Sequence, residues 1–384
     1  MVGSVTKVCF IVLVTLAIVV PCLEAGIAEF DDYLKAQAEK ARKLTLETYV
    51  PNPEEITEDL NLHVHKALEE YENELTNSTT RRELRQGKRH RGPCQATNPI
   101  DRCWRCQANW ANDRYRLAKC GRGFGRRATG GLGGPIYVVT DPSDRDMQNP
   151  VPGTLRYAVT RQGPLWITFK TSMVITLQEE LMLSSDKTID GRGANVQIKG
   201  GGGITLQFVN NVIVHNLRIS KIVPREGGMV MLLGASDSFS GDKIMQVTVA
   251  FNHFGQGLIQ RMPRLRWGFV HVVNNDYTHW LMYAIGGSSG PTVLSQGNRF
   301  IAPNNDAAKE ITHRDYASPD VWKKWQWTSD QDYFMNGATF TQTGTKVTNL
   351  PYGKKFIMKP RHGMYANRLT RWAGALPCVV GKPC

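Results

Sequence analysis

"VTVAFNHFGQGLIQRMPRLRWGFVHVVNNDYTHWLMYAIGGSSGPTVLSQGNRF", residues 247 to 300, repeats one signature three times. Asn252-His253-Phe254, Asn275-Asp276-Tyr277 and Asn298-Arg299-Phe300 each close a short β-rich run, and each follows the last by 23 residues. Equal spacing of an amide and an aromatic ring implies equal rungs, with asparagines hydrogen-bonding along one turn and rings stacking beneath it. A β-sandwich also uses short strands, but its alternation imposes no such period.

The period extends in both directions. β-Rich runs begin near Ile167, Thr188, Val212, Met231, Val247, Phe269 and Pro291, and no helix-sized amphipathic pattern separates them. A repeat of about twenty residues made of strands and turns buries a core only by stacking on its neighbours. The fold class expected is therefore all-β, a right-handed parallel β-helix or single-stranded solenoid, preceded by a small α-helical segment.

The rest of the 384 residues divides by charge and hydropathy. Residues 1–25 read as a signal peptide: Lys7, then the apolar "VCFIVLVTLAIVVPCL", then a small-residue end at Ala25. A retained membrane anchor is the alternative reading, and no other apolar run is long enough to span a bilayer. Residues 26–80 form an acidic segment, five Lys or Arg against thirteen Asp or Glu, with Phe30, Tyr33, Leu34 and then Leu60, Val64, Leu68 and Tyr71 at helical spacing. Residues 81–93 are a basic linker whose Arg81-Arg82 and Lys88-Arg89 pairs suit processing or simple solvation. Residues 81–384 together carry +21. That charge suits a polyanionic partner. Export and the lack of a nucleic-acid motif exclude DNA or RNA as that partner.

Six cysteines remain after the leader: Cys94, Cys103, Cys106, Cys120, Cys378 and Cys384. An even count in an exported chain implies disulfides of undetermined pairing. A zinc site begun by Cys103-x-x-Cys106 is the alternative, though histidine ligands are lacking nearby. Asn77-Ser78-Thr79 is a glycosylation acceptor.

Ordered motifs from residue 94 onward resemble one family: "GTLRYAV" at 153–159, "PLWITF" at 164–169, "KTIDGRGA" at 187–194, "DKIMQVTVAFNHFG" at 242–255, "QRMPRLRWGFVHVVNNDYTHW" at 260–280, "YAIGGS" at 283–288 and "SQGNRFIAP" at 295–303. The sequence resembles the plant pectate lyases, which include pollen enzymes and related pollen allergens, and residues 26–80 resemble the N-terminal domain some members carry. The resemblance implies a secreted cell-wall lyase that acts on polygalacturonate by calcium-dependent β-elimination. Within the R-x-P-x-x-R motif it implies Arg261 as the base and Arg266 as a substrate contact. A guanidinium is a poor base unless nearby positive charge lowers its proton affinity, and calcium supplies that charge in the family.

One departure from the family pattern bears on that expectation. Where a typical member continues through a segment holding the calcium-binding aspartates and a W-[IV]-D-H motif, this chain passes from Gly228-Met229-Val230 directly to Met231-Leu232-Leu233-Gly234. The missing piece amounts to roughly three coils, which a repeat protein can lose while its remaining coils still stack. No acidic cluster replaces it: Asp190 sits in the "DGRG" turn, and Asp237, Asp242 and Asp276 are scattered singly. The metal-ligand expectation is therefore none, and Met229 stands where a substrate-contacting lysine is often found. A monomeric lyase is expected, with a catalytically impaired polygalacturonate-binding pseudoenzyme as the alternative. The acidic segment also has the charge to cover the basic body until the linker is cut.

Overall fold

The computed structural model describes residues 94–223, 230–314, 317–348, 350, 352–353, 355–376 and 378–384. The leader, the acidic segment with its expected helices, the linker and Asn77 lie outside the described residues.

The described chain is a parallel β-helix whose coils fall into two stacks. In the first, Ile136–Val139, Leu165–Phe169, Lys187–Asp190 and Val212–His215 form a four-stranded sheet. Beside it run a three-stranded sheet (Met173–Leu177, Val196–Gly201, Arg218–Ser220) and a two-stranded one (Leu181–Met182, Ile204–Thr205). In the second stack every coil gives one strand to each of three four-stranded sheets. The sheet led by Leu232–Leu233 adds Arg264–Arg266, Ile285–Ser288 and Thr312–His313. That led by Gln246–Ala250 adds Phe269–Val273, Thr292–Gln296 and Trp327–Asp330, and that led by His253–Phe254 adds Asp276–Thr278, Arg299–Ile301 and Tyr333–Met335. All of these pairings are parallel.

The expected rungs are in place. Asn275 Oδ1 accepts from Asn252 Nδ2 at 3.0 Å, Asn298 Oδ1 accepts from Asn275 Nδ2 at 3.0 Å, and Asp332 Oδ1 accepts from Asn298 Nδ2 at 3.1 Å. Beneath them Phe254, Tyr277, Phe300 and Phe334 stack with successive centroid separations of 4.6, 4.7 and 6.0 Å. Six of the seven expected runs lie in the equivalent sheets of the two stacks. The run near Met231 does not: Leu232–Leu233 belongs to the sheet of Arg264–Arg266, which is why its spacing to its neighbours was irregular.

Among the described residues no sheet joins the stacks, and each has its own core, Ile167, Ile189 and Val196 in one, Val270, Tyr277 and Phe300 in the other. The end strands of the two stacks keep apolar side chains in solvent, Ile219 at 49% and Leu232 at 37% exposure. Two flanking segments span the break. Phe124 N donates to Thr248 Oγ1 in the second stack at 3.0 Å, while Asn211 Oδ1 in the first accepts from the N–H groups of Thr129 and Gly130 at 2.7 and 2.9 Å. Gly123, at φ 64, lies so close that a Cβ would stand 2.3 Å from Thr248 Oγ1. On the C-terminal side, Asn274 Nδ2 donates to Arg361 O at 2.6 Å and Asn216 Nδ2 to Gly374 O at 3.0 Å.

The cysteine question is answered by disulfides Cys94–Cys106, Cys103–Cys120 and Cys378–Cys384, which rules out zinc at Cys103-x-x-Cys106. No helix among the described residues is long and apolar enough to cross a membrane.

Candidate active site

The R-x-P-x-x-R segment enters the second stack at its first sheet. Leu265 points into the core, fully buried, so strand alternation turns Arg264 and Arg266 to the outer face. Arg261 precedes the strand, half-buried, with φ 66. A left-handed conformation costs a side-chain-bearing residue about 1–3 kcal/mol and persists only where the surroundings enforce it. Here they do: Met231 N donates to Arg261 O at 2.8 Å, and Met262 N donates to Ala284 O at 2.7 Å. Tyr277 Oη, from the ring stack, donates to Met262 O at 2.8 Å. The repeat that builds the core thus also fixes the backbone on which Arg261 stands.

Arg266 is already engaged. Its Nη1 donates to the carbonyls of Gly234 and Ala235 at 3.3 and 3.1 Å, and its Nε lies 3.6 Å from Asp237 Oδ1. The Asp237 carboxylate gathers the site: Arg264 Nη2 lies 3.4 Å from Oδ2, and Ser288 and Ser289 hydroxyls donate to Oδ1. Burial alone would raise the Asp237 carboxyl, but these hydrogen bonds and the two guanidinium charges bring it below its ordinary value. Trp267 Nε1 closes the loop by donating to Asp237 O at 3.2 Å. Sequence reading treated Asp237 as a stray acid, because its partners lie 27 to 52 positions away and only the coil register brings them together.

The other two acids singled out beside the motif, Asp242 and Asp276, are likewise engaged. Asp242 Oδ2 accepts from Ala235 N at 2.7 Å, and Asp276, almost fully buried, pairs with Arg299 at 2.7 Å. Among the described residues no three His, Cys, Asp or Glu side chains are placed to hold one metal ion. Calcium requires several oxygen ligands at once, and carboxylates already committed to arginines and backbone do not supply them. The described residues therefore do not fit a calcium site.

Comparison with known proteins adds three findings. Residues 26–84 match the family profile "Pectate lyase, N terminus", and residues 225–319 match "Pectate lyase". The chain is 48% identical to a pectate lyase of Lilium longiflorum over 423 aligned positions, covering 94% of this chain and 95% of that one. It is 44% identical to probable pectate lyase 7 of Arabidopsis thaliana, over 97% of this chain and 98% of that one. The lily alignment runs to roughly 60 more positions than this chain contributes to it. Among solved structures, the major allergen of cedar pollen superposes with a TM-score of 0.65 at 38% identity, over 73% of this chain and 99% of that one.

Proposed function

The chain belongs to the pectate lyase family, and from that premise we propose that it cleaves de-esterified homogalacturonan by β-elimination with Arg261 as the base. The observation that carries the proposal is the placement of Arg261: the first arginine of the motif is held in a strained backbone, beside a strand that carries buried Arg264 and partly buried Arg266, both paired with Asp237.

Arg261 takes the proton from the carbon α to a galacturonate carboxylate. The electrons of that C–H bond form the new double bond, the bond to the leaving glycosidic oxygen breaks, and water protonates the departing oxygen. Neighbouring positive charge makes a guanidinium give up its proton more readily, and in this reading Arg264 and Arg266 of the same segment supply it once substrate draws them from Asp237. In this reading Arg266 also contacts the substrate, by exchanging part of its hold on Asp237 and the Gly234 and Ala235 carbonyls for a sugar carboxylate. We place the positions missing relative to the lily enzyme between Val230 and Met231, and the family's calcium aspartates with them. Metal bound by the described side chains has no part in this reading, and the comparisons lend no support to a binding-only protein. We further read the protein as secreted to the cell wall, monomeric, and glycosylated at Asn77.

The test is the ultraviolet absorbance of the unsaturated product formed from polygalacturonate. Arg261→Ala is expected to lower the rate by about 10²–10⁴-fold, the usual range for losing a general base, with circular dichroism unchanged. A rate that survives Arg261→Ala intact would assign the base elsewhere.

A further inference from the structure

The flanking segment that bridges the stacks carries a charge cluster which the Arg261 site does not use. Arg122, Arg126 and Arg127 are exposed around the short turn Gly123–Arg127, and exposed Lys355 joins them from the C-terminal part of the chain. Three of these cations converge on one ring: the guanidinium carbons of Arg126 and Arg127 lie 5.9 and 5.4 Å from the centroid of Phe356, and Lys355 Nζ lies 5.3 Å from it. Significant cation–π contacts occur roughly once per 70–80 residues, so three on one ring is a marked concentration. Among the described residues no carboxylate pairs with any of the three.

The cluster continues into a cleft. Phe356 stacks on Phe124 at 6.2 Å, and Phe124 meets Tyr352 edge-on at 5.1 Å. Tyr352 lines a cleft of about 340 Å³ together with Trp267, Thr292, Gln326 and Lys243. Lys243 Nζ stands 4.8 Å from the centroid of the Trp267 ring. That volume lies within the range of small-ligand sites. Aromatic walls suit the apolar face of a sugar ring, the amide and hydroxyl suit its hydroxyl groups, and the cations suit carboxylates that recur along an acidic polysaccharide.

We propose that Arg126, Arg127 and Lys355, with the cleft between Trp267 and Tyr352, form a second binding surface for a linear polyuronate. It holds the polymer while Arg261 performs the chemistry elsewhere on the same coils. The inference rests on polygalacturonate as the substrate. Like charges held close together repel in the free protein, and a polyanion removes that repulsion, so the surface favours long chains over single sugars.

The test uses the full chain with Arg126→Gln, Arg127→Gln and Lys355→Gln combined, all at exposed positions outside the catalytic segment. With Arg261 intact, KM for polygalacturonate is expected to rise about tenfold at low salt while KM for trigalacturonate and kcat on both stay unchanged, and the difference should shrink as salt screens the charges. Equal changes on polymer and trimer, or no change on either, would overturn the proposal. In an Arg261→Ala background, affinity electrophoresis through polygalacturonate reads binding without turnover, so this arm decides even if the chain cleaves nothing. Weaker retention of the triple variant supports the surface, and unchanged retention removes it. Stronger retention of the intact surface by sulfated dextran than by polygalacturonate would identify a generic polyanion patch and overturn the uronate assignment.

Discussion

The two stacks solve the same problem, a polar turn between two strands, with different chemistry. In the second stack the turn carries Asn252, Asn275, Asn298 and Asp332, each bonded to the next coil, above a column of rings. In the first stack the position equivalent to Asn252 is Leu217, and the one equivalent to Phe254 is Ile219. Polar satisfaction there comes instead from Asp190, fully buried, which accepts from Arg192, Arg114 and Trp166 at 2.7, 2.9 and 3.0 Å. The ladder adds one amide or carboxylate per coil, whereas the ion-pair cluster gathers Arg114 from a flanking segment and Trp166 from the neighbouring coil around one carboxylate. Among the described residues the sheets end where one construction gives way to the other, and a nearest-neighbour architecture permits that.

The sharpest way to break the contrast is to write the first stack's residue into the second. Asn275 is fully buried; its Nδ2 donates to Val249 O at 2.8 Å as well as to Asn298, and its Oδ1 accepts from both Asn252 N and Nδ2. Asn275→Leu leaves the backbone N–H of Asn252 and the carbonyl of Val249 buried without these partners, and each such loss costs about 1–3 kcal/mol. A total of about 3–5 kcal/mol is expected from urea unfolding. Because Tyr277 holds the backbone at Met262, lyase activity should fall with it. A loss below about 1 kcal/mol would show that the ladder is ornamental to stability.

How far this was legible in sequence follows from how each feature is encoded. The second stack was readable because its rung is written in three consecutive positions and repeats every 23 residues. Asp190 was placed in a structural turn, but its partners Arg114 and Trp166 are distant in sequence and their convergence had no local signal. Arg261 and Arg266 were legible as a motif. The hold of Asp237 on Arg264 and Arg266 was not, since it depends on the loop after Gly234 folding back over the next coil. The three-strand coil was only partly visible, because strands such as Leu181–Met182 and Leu232–Leu233 are two residues long and carry no alternation.

A second way to sharpen the contrast is pH. Burial would raise the Asp190 carboxyl, but the hydrogen bond and charge of Arg192 and the charge of Arg114 bring it down to about 2. No cation among the described residues pairs with Asp332, and burial raises it to about 6 against the hydrogen bonds from Ser295, Asn298 and Ser329. A depressed carboxyl contributes stability that is present above its unfolded value and lost only as pH falls toward 2. A raised one works oppositely: the folded state binds the proton more tightly, so stability increases as pH falls from about 6 to about 4. Each stack also holds one histidine depressed to about 4, His215 chiefly by burial and then the charge of Arg192, His271 by burial. Those two losses affect both stacks alike, while His279, lowered chiefly by burial, adds a loss in the second stack that offsets part of the gain from Asp332. Hydrogen exchange resolved by stack should therefore show the second gaining on the first by up to about 3 kcal/mol between pH 6 and 4. Equal slopes would mean that Asp332 is ionised through the whole range.

The smallest expected effect tests what joins the stacks where strand pairing does not. Asn216 and Asn274 occupy corresponding left-handed turn positions, φ 56 and 53, and both donate to the C-terminal segment, at Gly374 and Arg361. Asn tolerates that conformation better than Ala does, so Asn216→Gly isolates the hydrogen bond without adding backbone strain. One lost hydrogen bond is worth about 0.5–1.5 kcal/mol. Global unfolding should shift by that amount, while hydrogen exchange in Val212–His215 rises more than in Phe269–Val273, because the first stack loses its tie to Gly374 and the second keeps its tie to Arg361. If protection fell equally in both stacks, they would unfold as one cooperative unit and the break between their sheets would carry no energetic boundary.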